Sequence, residues 1–382
     1  MHIWPFMPQT SFTEVLEWKT DVIRAKGAEQ RFALRTRPRQ VFNFTYVMDP
    51  PAFSKAKSFS RSQAEKEFLL PRWGDLSYLG AISSTTTILN FDTRFANYAE
   101  GAQVIVYDEY DHYEAATILT LTDTSITLVT GLTKDYTKAV VAPLQIATFI
   151  NFFEADRQKA EFIKATASFQ SLDSTDLAAL WQEEYPFFRG HEVMMDRPIV
   201  TGDIREAYKS DISQVDDGVA LIWRGTQRNY PTKEAQVAWH LLSREELWSL
   251  RLWLYTRRGK WRGFWLPSWN KDLELTQPIS STDTTITISD VGYSTHEEAN
   301  SLMILTTGGL VYYLRVISGF AGSPGEEILA LDGAAGINVT VSDIAMIAYL
   351  SFVRFNADRV EIQHRVAGGS SVIMPTLEIP EP

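Results

Sequence analysis

The sequence predicts a mainly β (α+β) chain built from one unit written twice. Each copy is expected to be a small sheet with one flanking helix and an inserted small β-barrel module. Three observations predict it. The frame Phe-x-Leu-Pro-x-Trp occurs at Phe68–Trp73 and again at Phe264–Trp269. A Thr/Val/Ile-rich block with close strand-and-turn spacing follows each frame. One helix signature stands before the second frame, with a weaker counterpart before the first.

The flanks of the frame support a tandem repeat, and repeats are sought first because they decide architecture. Gln40-Val41 and Gln236-Val237 each lie 33 residues before the Trp of the frame. Downstream, "AISSTTTILNFD" from Ala81 matches "PISSTDTTITISD" from Pro278. "FINFFEADR" ends at Arg157 and "LSFVRFNADR" at Arg359, so the offset grows from 196 to 197 to 202, as loop insertions would produce. Upstream, "TDVIRAKG" at Thr20 resembles "SDISQVDDG" at Ser210.

Within a unit the elements follow in order. In "QRFALRTRPRQVFNFTYV" the apolar Phe32, Leu34, Phe42, Phe44 and Tyr46 alternate with Arg31, Arg35, Arg37 and Arg39. That period of two predicts a half-buried sheet face with the apolar set inward. Pro38 divides it into two strands or marks an edge. In the second unit, Ser243 and Glu246 form a capping box, Leu247, Leu250 and Leu254 a stripe, and Arg257-Arg258-Gly259 a stop. The first-unit segment "DPPAFSKAKSFSRSQAEKEF" is a poorer helix, so irregularity is expected there. The frame itself reads as a strand, with Phe68, Pro71, Trp73 and Phe264, Pro267, Trp269 as its duplicated structural residues. The expected boundaries are 1–73 with 149–165 for the first lobe and 74–148 for its inserted module. The linker and second lobe take 166–269 with 349–382, and the second module takes 270–348.

Composition narrows the function. The 382 residues are 45% hydrophobic and 22% charged, ordinary for a globular chain. No apolar run has transmembrane length, so no direct membrane insertion is expected. The opening "MHIWPFMPQT" lacks a basic region followed by an apolar core, so no signal peptide is expected. Zero cysteines excludes disulfides and thiolate metal sites. The net charge of −11 argues against a general nucleic-acid binder. No H-E-x-x-H, phosphate-loop, dinucleotide or nucleophile-elbow motif is present. Asp108, Glu109, Asp111, His112 and Glu114 gather in "VYDEYDHYE"; this admits a metal or hydrolase reading, against which stands a solvated hairpin turn. "QVDDGV" at Asp216-Asp217-Gly218 reads as a hairpin turn. The expectation is a non-enzymatic protein with no catalytic, cofactor or metal site.

The basic stretch from Lys19 to Arg39 stands out in an acidic chain. Arg31, Arg35, Arg37 and Arg39 are candidate contacts with an acidic face of a neighbouring subunit. A phosphate or DNA contact, and a plain solvent face, are the other readings. The second unit has fewer cations at this place: Arg224, Arg228 and Lys233.

One set of motifs resembles a known family. Trp18, Thr20-Asp21-Val22, Gly27, Glu29-Gln30-Arg31, Leu34-Arg35 and Pro38-Arg39 are similar to the opening of tail proteins of long-tailed bacteriophages. The Phe-x-Leu-Pro-x-Trp strand, "YPFFRGHEVMMDRP" from Tyr185 and the Ser243 helix extend the likeness over most of the chain. It resembles the distal tail and tail-tip (baseplate hub) proteins, and this implies two tail-tube-like β-sandwich lobes. It further implies a structural virion protein, assembled in the host cytoplasm, that forms a homo-oligomeric ring. The implied neighbours are the tail tube protein, tape measure protein, tail hub and tail fibres, with DNA only in transit. A hexamer is the first expectation and a trimer with pseudo-sixfold symmetry the second. A receptor- or carbohydrate-binding module, on the aromatic blocks with Trp269, Tyr312 and Tyr313, is the alternative.

Overall fold

The computed structural model describes the chain apart from residues 10, 26–27, 151–152, 158–161, 183, 199–205, 210–211, 216–217, 219–221, 227–231, 296–299 and 366–368. It is mainly β and antiparallel, with two α-helices among the described residues. The first half runs β1 (Phe12–Glu17), β2 (Thr20–Ala25), β3 (Ala28–Ala33), β4 (Arg39–Met48), α1 (Pro50–Ser62) and β5 (Phe68–Pro71). It continues with β6 (Ser77–Ile82), β7 (Ile88–Asn90), β8 (Gln103–Glu109), β9 (His112–Thr122) and β10 (Ser125–Leu128). It closes with β11 (Tyr136–Phe149), β12 (Glu154–Arg157) and β13 (Ile163–Ser171). A connection holding β14 (Phe187–Phe188) and β15 (His191–Glu192) leads on. The second half opens with β16 (Glu206–Lys209), β17 (Ile212–Val215), β18 (Trp223–Thr226), β19 (Thr232–Leu241), α2 (Arg244–Arg257) and β20 (Phe264–Pro267). Then follow β21 (Thr285–Ser289), β22 (Ser301–Thr306), β23 (Val311–Ala321), β24 (Glu326–Leu331), β25 (Ile344–Phe355), β26 (Arg359–His364) and β27 (Ser370–Glu378).

The pairings recur from half to half. β13 lies on β4 as β27 lies on β19. β5 lies on β11 as β20 lies on β25, with Phe68 opposite Ala147 and Phe264 opposite Val353. β12–β13 and β26–β27 are matching hairpins, and β1 pairs with β4 as β16 pairs with β19. Even the entering chain repeats, because Ile3 bridges Leu69 and Val193 bridges Trp265, both in parallel. β6 has no counterpart strand; there the second half makes single bridges at Leu273 and Leu275.

Hydrogen-bond register separates true matches from accidental ones. The Ser-Ser-Thr blocks are equivalent, since Leu128 N–H donates to the Thr87 carbonyl and Leu331 N–H to the Thr284 carbonyl. Gln40 and Gln236 are not equivalent. With Phe42 opposite Phe169 and Ala235 opposite Thr376, Phe44 corresponds to Val237, Tyr46 to Trp239 and Met48 to Leu241. Gln40 is accordingly buried, while Gln236 is exposed. The Ala-Asp-Arg match fails too. Arg157 ends β12 opposite Ile163, a place that His364 holds opposite Ser370, whereas Arg359 begins β26. The first coincidence arises because the second half has a longer stretch between β19 and the frame, and the second because it has a longer stretch between the frame and β26.

Two pairs of matching cores are formed, and the second half has a further small cluster around Val193, Trp265 and Phe352. Trp4, Phe44, Phe68 and Phe169 centre one, and Trp239, Trp253, Phe264 and Phe355 centre its counterpart. The inserted strands form their own cores around Val104, Val106 and Ile126, and around Ile286, Ile304 and Leu329. β11 and β25 belong to both layers. β11 pairs with β8 over Val140–Pro143 and with β5 over Leu144–Ala147, so boundaries at 148 and 348 fall inside continuous strands, as the one at 165 falls inside β13.

Two local expectations are corrected. α1 is regular over 13 residues, despite its composition. Asp49 caps it by accepting from the Ala52 N–H, prolines occupy its first turn, and Ala52, Phe53 and Ala56 bury. In α2 the Ser243–Glu246 capping box forms, and Arg258 supplies the left-handed cap. The second correction concerns β3. Phe32 and Leu34 are exposed, while Phe42, Phe44 and Tyr46 are buried. Pro38 interrupts the alternation, and β3 pairs with β2 alone, in a two-stranded hairpin whose inner side carries Glu29 toward the second half.

The two frames are equivalent in backbone pairing but not in their tryptophans. Trp73 is buried, donates its indole N–H to the Phe6 carbonyl at 3.1 Å and meets Tyr107 edge-on. Trp269 is half-buried with φ 57°. Trp73→Ala is expected to cost about 3–5 kcal/mol in denaturant unfolding, and Trp269→Ala less than about 2 kcal/mol. Equal costs would contradict this reading.

Candidate functional site

β1 is the strand on which the two halves meet. It pairs with β4 on one side, Glu14 opposite Phe42, and with β26 on the other, Glu14 opposite Ile362. The sheet therefore runs without a break through β12–β13–β4–β1–β26–β27–β19–β16. Leu16 and Trp18 reach past the seam into the core of the second half. Among the described strands, β12 pairs only with β13 and β16 only with β19.

The seam is ionic at its centre. Glu14 is 1% exposed. It accepts from the Gln40 amide at 2.6 Å and from Arg251 Nη2 of α2 at 2.6 Å, and its Oε2 lies 3.1 Å from His364 Nε2. Arg72 donates to Asp75 at 3.1 Å, to Gln40 at 3.1 Å and to Gln145 at 3.0 Å. Arg251 Nη1 stands 3.8 Å from Asp75, and His364 Nδ1 lies 3.1 Å from Ser370 Oγ. Arg244 donates to Ser77 Oγ at 3.1 Å and to the Leu76 carbonyl. Residues from both halves thus build one buried cluster, in which Arg251 Nε and Gln145 Nε2 have no hydrogen-bond partner among the described residues. Burial alone would raise the Glu14 carboxyl; Arg251, then His364 and Arg72, instead hold it well below the usual carboxylate range.

A second clasp flanks the first. The β2–β3 hairpin crosses onto the second half, where Arg354 donates to both Glu29 oxygens at 2.8 and 2.9 Å. The Asp358 carboxylate accepts from Thr20 N–H and Thr20 Oγ1, both at 2.8 Å. Burial opposes the Glu29 charge, but hydrogen bonds from Arg354 and Arg24 bring its pKa down to about 2.

The arginines singled out in the sequence do not form one row. Arg31 is half-buried beside Glu29 and Arg354, and burial pushes its guanidinium down from its ordinary value. Arg35 donates to the Glu17 carbonyl at 3.3 Å and Arg37 to the Ser174 carbonyl at 3.2 Å; Arg39 is exposed. Arg228 and the Asp216–Asp217 pair lie outside the described residues. The acidic segment from Asp108 is the turn of the β8–β9 hairpin, with Glu114 accepting from Thr133 and Tyr136 and Asp108 from Thr137. Among the described residues no three His, Asp or Glu side chains are placed to hold a metal. A cleft of about 390 Å³ lies at the start of α2, lined by Phe95, Trp239, Trp248, Glu184, Asp196 and Glu245 among others. Sequence reading missed Glu14, Arg251 and His364; Arg251 lies 237 residues and His364 350 residues from Glu14. The available signal was a glutamate inside the strand-forming run "FTEVLE".

Compared with known proteins, the chain matches no family model and no curated relative.

The geometry sets an acid dependence. Glu14 and Glu29 have folded pKa values below their unfolded value near 4.3, so their contribution is complete above about pH 5 and is lost as pH falls toward 2. Unfolding free energy should fall over that window, with a shallower slope in Glu14→Gln. Arg251→Ala at neutral pH strands a buried carboxylate and should cost about 3–5 kcal/mol, with Glu14→Gln/Arg251→Met recovering most of it. An unchanged acid slope and a cost under about 1 kcal/mol would contradict the role given to the cluster.

Proposed function

We propose that this chain is a structural virion protein of a long-tailed bacteriophage. It forms a ring at the distal end of the tail, joins tube to tip, hub and fibres, and leaves a channel for DNA. In this reading each half is a tail-tube-like β-sandwich lobe with one flanking helix, α1 or α2. Each lobe carries a small β-barrel module that extends away from the shared sheet. The observation that carries the proposal is the placement of two equivalent units side by side in one sheet, whose end strands β12 and β16 each have a single partner among the described strands. A strand edge is an aggregation hazard unless it is covered, and a closed ring covers it with another copy. The resemblance in the opening motifs and in the repeated frame supplies the tail-tip assignment.

The side-by-side arrangement also bears on subunit number. Stacked rings would place a chain's two units at different levels. Units sharing one sheet lie in one layer, so six lobes take three chains, and the trimer replaces the hexamer as the favoured assembly. A glycan-binding module is the second reading. The cleft favours it, because Trp239 and Trp248 with Glu184 and Asp196 combine aromatic faces and carboxylates in one concavity.

Electron microscopy of the purified protein, with mass measurement in solution, tests the leading reading. Annular particles of three chains with an open centre are expected. A folded monomer at all concentrations, absent from tails, would overturn it. Loss of host adsorption in Trp248→Ala particles with intact tails would favour the glycan module instead.

A further inference from the structure

The in-chain seam has an open counterpart at each end of the sheet, and the repeat specifies how the two ends fit. β16 holds toward β19 the place that β1 holds toward β4. Glu14 faces Phe42, Glu206 faces Ala235, and Phe42 and Ala235 are equivalent through Phe169 and Thr376. β12 likewise holds the place of β26, with Ala155 where Ile362 stands. β1 is covered by β26, yet among the described strands nothing lies on the corresponding sides of β16 and β12. We propose that β16 of one copy pairs antiparallel with β12 of the next, in the register that joins β1 to β26, so that the contact between chains repeats the contact within one. Glu206 then faces Ala155 of the next copy, and Ala207 faces Glu154.

Charge and burial independently favour a second copy as the occupant. The repeat places a glutamate at both strand positions, Glu14 and Glu206. It also places a cation at both helix positions, since Lys57 lies as far beyond the Asp49 cap as Arg251 lies beyond Ser243. Arg251 is buried across the in-chain seam against Glu14; Lys57 is exposed. α2 buries residues all round, Leu250 through Arg257 without a gap, whereas α1 buries only Ala52, Phe53 and Ala56. α1 is thus a seam helix whose seam-side neighbour lies outside the chain. The inference rests on the ring reading for closure alone; the strand pairing follows from the repeat.

The chain has no cysteine, so engineered pairs report without background. Two double variants are made, Glu206→Cys/Ala155→Cys and Ala207→Cys/Glu154→Cys. Adjacent cross-strand pairs alternate between hydrogen-bonded and closer non-hydrogen-bonded geometry, so one of the two has the shorter side-chain separation. Mild oxidation should link chains at least about ten-fold faster in that variant than in the offset pair Ala207→Cys/Asp156→Cys. The covalent ladder should end at the closed ring. Lys57→Glu should weaken assembly at least about ten-fold. Circular dichroism and mass measurement accompany each variant. Rings without in-register links overturn this pairing and leave the ring reading standing. In-register links in open fibres uphold the pairing and overturn the ring. Folded monomers without links overturn both.

Discussion

The structure depends on a buried carboxylate at the centre of a shared strand. Glu14 lies in β1, between the two halves, and Gln40, Arg251 and His364 reach it from β4, α2 and β26. A buried charge is costly to leave unpaired, so the cluster penalises any arrangement in which either half moves away. The β1 backbone adds ladder bonds on both edges, and Leu16 and Trp18 add apolar burial on the far side. Two domains of this size joined by a linker alone would be expected to move relative to one another. Here a strand from one end of the chain removes that freedom.

The consequence is a chain in which two equivalent units share one sheet. The aromatic cluster about Phe68 is built from the first half alone, whereas the cluster about Phe264 is completed by Leu16 and Trp18 of the first half. What distinguishes the halves is their surroundings. α2 is enclosed and α1 is more exposed; β26 has partners on both sides, and β12 has one among the described strands. This asymmetry within the repeat is the observation on which the proposed pairing between copies rests. The inserted strands are tied into this frame by β11 and β25, single strands that run from the insert into the shared sheet.

Much of this was legible in sequence where the signal was local. The frame at Phe68 and Phe264 fixed two strands, the capping box at Ser243 fixed a helix start, and the Ser-Ser-Thr blocks fixed equivalent turns. Local composition misled at α1, where capping and three buried residues outweigh weak propensity. It misled again at β3, where Phe32 and Leu34 continue an alternation that Pro38 has broken. The matches at Gln40 and at Arg157 were displaced because identity between short words carries no register, which only strand partners reveal. The seam was illegible for a different reason. Glu14 and His364 come from opposite ends of the chain, and no spacing rule links residues that meet only after both halves have folded.

Hydrogen exchange of native β1 tests the central claim most directly. If β1 is the strand that holds the halves together, amides of residues 12–17 exchange no faster than those of β4 and β26, through global unfolding. Rapid exchange across residues 12–17, with β4, β19 and β27 still protected, would contradict the account. It would show two independently stable halves and a dispensable strand between them.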